Sequence, residues 1–129
     1  PSCGGAACEQ TGCALQAEEI QCGQVVSGTT GGAGSLDQYP SCAPDQDESG
    51  PEKLYVFHAE DYGQVAATIE EAEADLDVFV MECTCAPGTC IETGNWLAWF
   101  AVAPQKTYYI AVDGYQGASG SYTLSLECL

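Results

Sequence analysis

The chain of 129 residues contains no arginine and only two lysines, Lys53 and Lys106, against nineteen carboxylates, for a formal net charge of −17. That balance excludes nucleic acid as a partner, because nothing is present to neutralise phosphates. It argues against contact with anionic lipid headgroups for the same reason. There is one histidine, His58, so no second imidazole is available to a metal. No CxxC pair occurs, which removes the usual zinc and redox spacings. No G-x-S-x-G is present, and no apolar run approaches the length of a membrane-spanning helix. The only asparagine, Asn95, precedes Trp-Leu, so the chain has no N-linked glycosylation sequon. It starts at Pro1 without a basic leader, and reads either as a mature form whose signal peptide has been removed or as a sequence from which that peptide was left out; the cysteines agree with the former.

What the chain has in excess is cysteine. Nine cysteines without metal spacing read as a disulfide framework, which requires an oxidising compartment outside the cytoplasm. Nine is odd, so at least one sulfur is a free thiol or bonds to another molecule. Three of them, Cys3, Cys8 and Cys13, sit five residues apart in "PSCGGAACEQTGC". Their small neighbours offer little to bury, so residues 1–21 read as a Cys-rich arm. As thiolates these three would need a fourth ligand and a reducing environment to hold a metal; oxidised sulfur is the simpler reading.

From Cys22 the pattern is that of β-structure. "QVVSGTT" (24–30) is short and β-branched, and 30–50 is loop-like. "EKLYVFHA" (52–59) separates Leu54, Val56 and His58 from Lys53, Tyr55 and Phe57. "GQVAATIEE" (63–71) alternates Val65, Ala67 and Ile69 with polar residues. "DLDVFVMEC" (75–83) sets Leu76, Val78 and Val80 against Asp75, Asp77 and Phe79. "WLAWFAVA" (96–103) and "TYYIAVDG" (107–114) are largely apolar, and "GSYTLSLECL" (120–129) alternates again. Period-two alternation between turn residues predicts an all-β antiparallel sandwich of seven or eight strands over 22–129. Two local expectations accompany it. "ALQAEEI" (14–20) has the composition of one or two helical turns, and "IEEAEAD" (69–75) reads as an acidic hairpin loop. Trp96 and Trp99, three apart, are expected on opposite faces of one strand, one of them in the core.

The ordered set "CGQVVSGTT…YPSC…SGPEKLYVFHA…GQVAATI…DLDVFVMECTC…TYYIAVDGY…GSYTLSLEC" resembles the bacterial pre-peptidase C-terminal (PPC) domain. It is most similar to the cysteine-containing versions of deltaproteobacterial surface proteins. The resemblance runs from about Cys22 to Cys128 and leaves the arm outside. It implies a small, jelly-roll-like, non-catalytic β-sandwich carried by secreted proteins, some relatives of which bind Ca²⁺ and protein fibres.

Within that frame the cysteines and carboxylates acquire roles. Cys22 opens the first long strand and Cys128 nearly closes the last, so a bridge between them would clamp the ends of the module. Cys85 and Cys90 bracket "APGT", a turn able to bring them into bridging range. Cys42 and Cys83 then form the remaining pair of the module, although sequence alone leaves this connectivity open. Asp75 and Asp77 share one face of a strand. With Asp113 and Asp37 they form a candidate oxygen set for Ca²⁺, a role weighed against ordinary turn capping by aspartate. Asp45, Asp47 and Glu48 are a second, weaker set. His58 lies on an alternating face and reads as structural, and no convergent catalytic constellation accompanies it.

Two functions are compatible with this reading. One is a secreted or cell-surface structural subunit that assembles with its own copies, through strand addition or through an arm cysteine (Cys3, Cys8 or Cys13) bonded to a neighbour. The other is a Ca²⁺-dependent module that binds carbohydrate or extracellular protein for a larger secreted protein.

Overall fold

The computed structural model describes residues 17–31, 39–43, 45, 47–48, 50–82 and 89–129. The described residues form a sandwich of nine strands: β1 (Glu18–Glu19), β2 (Val25–Thr29), β3 (Lys53–His58), β4 (Gln64–Glu70), β5 (Leu76–Glu82), β6 (Cys90–Gly94), β7 (Leu97–Ala101), β8 (Thr107–Gly114) and β9 (Ser121–Cys128). One sheet has the order β1-β3-β8-β5-β6 and the other β2-β9-β4-β7. Every pairing is antiparallel except β1 with β3, which is parallel. The all-β sandwich read from the alternation is therefore the fold, and no helix among the described residues is long and apolar enough to cross a membrane.

The alternation assigns the faces. Val65, Ala67 and Ile69 of β4 and Tyr122, Leu124 and Leu126 of β9 point into the space between the sheets. Opposite them lie Leu76, Val78 and Val80 of β5, Ile110 and Val112 of β8, and Tyr55 and Phe57 of β3. Two polar tips within this layer satisfy each other: the hydroxyls of Tyr55 and Tyr122 are 2.6 Å apart. They fit because residue 28 is glycine, where a Cβ would meet the Tyr122 hydroxyl at 2.5 Å.

The five-stranded sheet is covered on its other face too. There Leu54, Phe79, Met81, Tyr109 and Ala111 form a second apolar cluster with Tyr39 and Ala43 of the loop before β3. The Tyr39 ring stacks on Phe79, with centroids 3.7 Å apart and planes 5° from parallel. This explains why β5 and β8 read as nearly continuous apolar runs: a strand buried on both faces loses its alternation.

Two disulfides hold the ends and the loop. Cys22 is bonded to Cys128 across a sequence separation of 106, joining the start of β2 to the end of β9. Cys42 is bonded to Cys90, with Cα atoms 5.7 Å apart. That second bridge replaces the expected Cys85–Cys90 and Cys42–Cys83 pairings, because a sulfur forms one disulfide and Cys90 faces the covering loop. Ser41 reinforces it, its hydroxyl donating to the Cys90 carbonyl at 2.8 Å. Cys83 and Cys85, like Cys3, Cys8 and Cys13, lie outside the described residues.

Other expectations change as well. Glu18 and Glu19 are strand, where a helical turn was read. Glu18 pairs with Tyr55 and Glu19 with Val56, and the backbone N–H of Ile20 donates to the Val56 carbonyl. The sandwich therefore starts before residue 22, with Ile20 buried in its core. The acidic segment after β4 is a loop but not a hairpin, since β4 and β5 belong to different sheets. Trp96 precedes β7, so strand alternation does not govern it, and both tryptophans are exposed (60% and 48%). His58 is exposed at the end of β3, its Nδ1 3.1 Å from the hydroxyl of its cross-strand partner Thr107.

Removing the Cys22–Cys128 bridge with a double alanine substitution is expected to lower the unfolding free energy by roughly 4–5 kcal/mol, the chain-entropy value for a loop of that length. Urea titration measures it. A midpoint indistinguishable from that of the parent would mean that packing alone holds the two ends.

Candidate functional site

Two features of the surface and one buried cluster stand out from this frame. The cluster lies at the end of the face covered by the loop. Asp77 of β5 and Asp113 of β8 are cross-strand partners, and both are buried (1% and 0% exposed). Like charges directly opposite one another destabilise a sheet, so this pair needs compensation. The loop supplies part of it. Tyr39 donates its hydroxyl to Asp113 Oδ2 at 2.7 Å, and the Gly114 backbone N–H donates to Asp113 Oδ1 at 2.8 Å.

Glu48, also fully buried, closes over Asp77. Burial, followed by its hydrogen bond to Asp77 and the charges of Asp77, Asp113 and Asp75, pushes the Glu48 carboxyl up to about 9. Glu48 is thus protonated at neutral pH and donates to the Asp77 carboxylate. A proton does the work that a lysine would do elsewhere, because the only two lysines are engaged with Glu18 and Glu82. Burial and the neighbouring Asp113 likewise hold the Tyr39 phenol far above its usual range. The loop is pinned around the cluster by Gln116 N–H to the Asp47 carbonyl at 2.7 Å and Gly50 N–H to the Gly114 carbonyl at 3.1 Å.

Of the oxygen set read for Ca²⁺, the fold brings Asp77 and Asp113 together, leaves Asp75 exposed at the rim, and does not describe Asp37. Among the described residues no three Asp, Glu, His or Cys groups are placed to surround a metal ion. Glu48, taken from the weaker acidic set, is the third member of the cluster, with Tyr39 as its donor. Sequence reading missed their roles because a loop residue's burial is decided by what it lands on. Asp45 and Asp47 of that weaker set are exposed.

The first surface feature is the four-stranded sheet. Its outer face carries the small uncharged residues Ser27, Thr29, Thr68, Ser121, Thr123 and Ser125, with Glu70 and Glu127 toward opposite ends of the same face. At one edge stands β7, with Leu97, Trp99 and the adjoining Trp96 exposed; at the other stands β2, with Val25 exposed at 64%. Near β1, a hollow of about 220 Å³ is lined by Glu19, Ile20, Gln21, Cys22, His58, Glu60 and Tyr62. Of these, His58 is held beside Thr107.

This architecture is that of a PPC-like β-sandwich. The PPC domain of a collagenase from Bacillus anthracis superposes with a TM-score of 0.57 at 16% identity, over 86% of this chain and 94% of that one. A periplasmic inhibitor of g-type lysozyme from Aeromonas hydrophila superposes with a TM-score of 0.60 at 12% identity, covering 88% and 98%. Its counterpart from Salmonella Typhimurium gives 0.50 at 14% identity, covering 87% and 99%. No family model matches the chain, and no curated protein does. The likeness is one of fold. With the disulfides, it is consistent with a secreted sandwich.

The Glu48 proton sets a pH dependence. Unfolded, this carboxyl releases its proton near its ordinary value of 4.5; folded, it does so near 9. The folded state therefore holds the extra proton between those values, and stability falls as pH rises through that window. The contribution is complete at the acid end. Glu48→Gln, which keeps a donor for Asp77, is expected to flatten the slope in chemical denaturation between pH 5 and 9. An unchanged slope in the variant would remove Glu48 as its source. Tyr39→Phe, which strips a donor from buried Asp113, is expected to cost about 1–3 kcal/mol at neutral pH.

Proposed function

We propose that this chain is a non-enzymatic structural subunit, secreted to the bacterial cell surface or beyond, that assembles with its own copies into a fibre or layer. The observation that carries the reading is β7. It is an edge strand of five residues, Leu-Ala-Trp-Phe-Ala, with no charge, no proline and two exposed large side chains within it. Soluble sandwiches guard such edges with charge, proline or a covering segment, since an open apolar edge pairs with another chain. Here carboxylates are plentiful, yet none falls between Thr93 and Gln105. A net charge of −17 opposes self-association on most of the surface; leaving this edge neutral is what makes one contact favourable.

Cysteine supports a covalent addition to that contact. The two described bridges use four of the nine cysteines, leaving an odd number. We assign the remainder's intermolecular role to Cys3, Cys8 or Cys13. These bridges also support the cysteine-containing type of PPC-like surface protein.

A second reading takes the same tryptophans as a platform for a sugar ring, since Trp96 and Trp99 present amphipathic faces to solvent. Saturable binding of a polysaccharide by the monomer would favour it. Calcium is a separate proposal: Asp37 and Asp75 would have to join Asp77 and Asp113, and a melting temperature that falls with chelator and recovers with Ca²⁺ would show it.

Electron microscopy of the natively secreted protein is expected to show fibres or sheets. Replacing Trp96 and Trp99 together by serine is expected to raise the concentration needed for assembly about tenfold or more, equivalent to about 1.4 kcal/mol per contact. Part of the multimer ladder on electrophoresis is expected to collapse with reductant. A protein that stays monomeric at all concentrations, reduced or not, would overturn the reading.

A further inference from the structure

We propose that the copies join head to tail, β7 of one pairing antiparallel with β2 of the next, so that the four-stranded sheet continues from subunit to subunit. The inference rests on the self-assembly reading above and specifies its contact. β2 and β7 are the two edges of one sheet, and among the described residues no strand lies beyond either. Each has five residues, Val25–Thr29 and Leu97–Ala101, and neither contains a charge or a proline.

Strand polarity permits the junction. In the order β2-β9-β4-β7 every neighbour is antiparallel, so β2 and β7 of one subunit run in opposite directions. A translated copy therefore presents its β2 antiparallel to the first subunit's β7. A turn about the axis of propagation, set by the twist of the sheet, accompanies the translation without changing this polarity, and the contact repeats without closing.

Backbone phase agrees. Leu126 N–H donates to the Gln24 carbonyl and Thr30 N–H to the Gly120 carbonyl. In an antiparallel ladder bonded pairs recur every second residue, so Val26 and Gly28 also bond to β9, while Val25, Ser27 and Thr29 direct N–H and C=O away from it. At the other edge, Val102 N–H donates to the Gly63 carbonyl and Ile69 N–H to the Trp96 carbonyl. Ala98 and Phe100 then bond to β4, and Leu97, Trp99 and Ala101 direct theirs outward.

Setting Trp99 opposite Ser27 of the next copy places Leu97 opposite Thr29 and Ala101 opposite Val25. Every outward residue then meets an outward one, each pair exchanging two hydrogen bonds. The same register keeps the faces: Leu97, Trp99, Ala101, Val25, Ser27 and Thr29 are all exposed, whereas Ala98 and Phe100 are buried and Val26 and Gly28 half-buried. It also seats a large indole beside a small serine. A two-fold pairing of β7 with itself about its middle residue would set Trp99 against Trp99 and leave β2 open.

The other sheet offers no equivalent edge. Its outer strands are β1, which is Glu18–Glu19, and β6, which carries Glu92; two copies of so acidic a chain repel there.

Mixing separates this contact from others. Ser27→Pro and Trp99→Pro each delete an outward N–H and no ladder bond within the subunit, a place where edge strands accept proline. Each variant alone is expected to lose every species above monomer in sedimentation. An equimolar mixture is expected to run as a heterodimer, because one partner keeps an intact β7 and the other an intact β2. A variant that still assembles alone, or a mixture that stays monomeric while the parent forms fibres, overturns the β7–β2 contact but leaves self-assembly standing. A parent that does not assemble overturns the self-assembly reading itself. Cooperative melting verifies that each variant is folded; if one is not, Val25→Pro and Ala101→Pro make the same test one pair along.

Discussion

The structure depends on the loop that lies across the five-stranded sheet. Tyr39 stacked on Phe79, and Cys42 bonded to Cys90, convert that sheet from one with a bare apolar face into one covered on both sides. Without the cover, Phe79, Met81, Tyr109 and Ala111 would face water, and the sheet would carry an apolar patch of the kind that recruits partners. The bridge fixes the loop at one end of this face, and the backbone bonds from Gln116 and Gly50 fix it near the other.

The same cover has an electrostatic consequence. It buries two carboxylates already placed opposite each other by the register of β5 and β8. Buried charge must be paired or neutralised, and this sequence has almost no cations with which to pair it. Tyr39, a backbone N–H and the Glu48 proton take that role. A chain short of lysine and arginine thus stabilises buried acid with hydrogen bonds and a retained proton, which gives the fold a preference for the acidic side of neutrality.

Covering one sheet also leaves the other with one bare face. The four-stranded sheet is packed on its inner face only; its outer face carries carboxylate at Glu70 and Glu127, whereas the strands at its two edges carry none. For a chain of this charge, neutral surface is the scarce resource. It lies at β2 and β7, and the exposed tryptophans lie beside one of them.

By itself, the sequence determined the sandwich and the facing of its core. Period-two alternation around Val65, Val78 and Leu124 reports which side of a strand is dry, because successive side chains point to opposite faces. It also determined the acidity, the oxidised cysteines and the clamp positions at Cys22 and Cys128. Tertiary structure decided the rest. It decided that Cys42 meets Cys90, that Glu48 covers Asp77, and that Glu18 and Glu19 extend a sheet. It also decided that neither tryptophan enters the core. Each of these depends on which distant segments become neighbours, and local periodicity carries no information about residues brought together from separate parts of the chain, as Cys42 and Cys90 are across 48 positions.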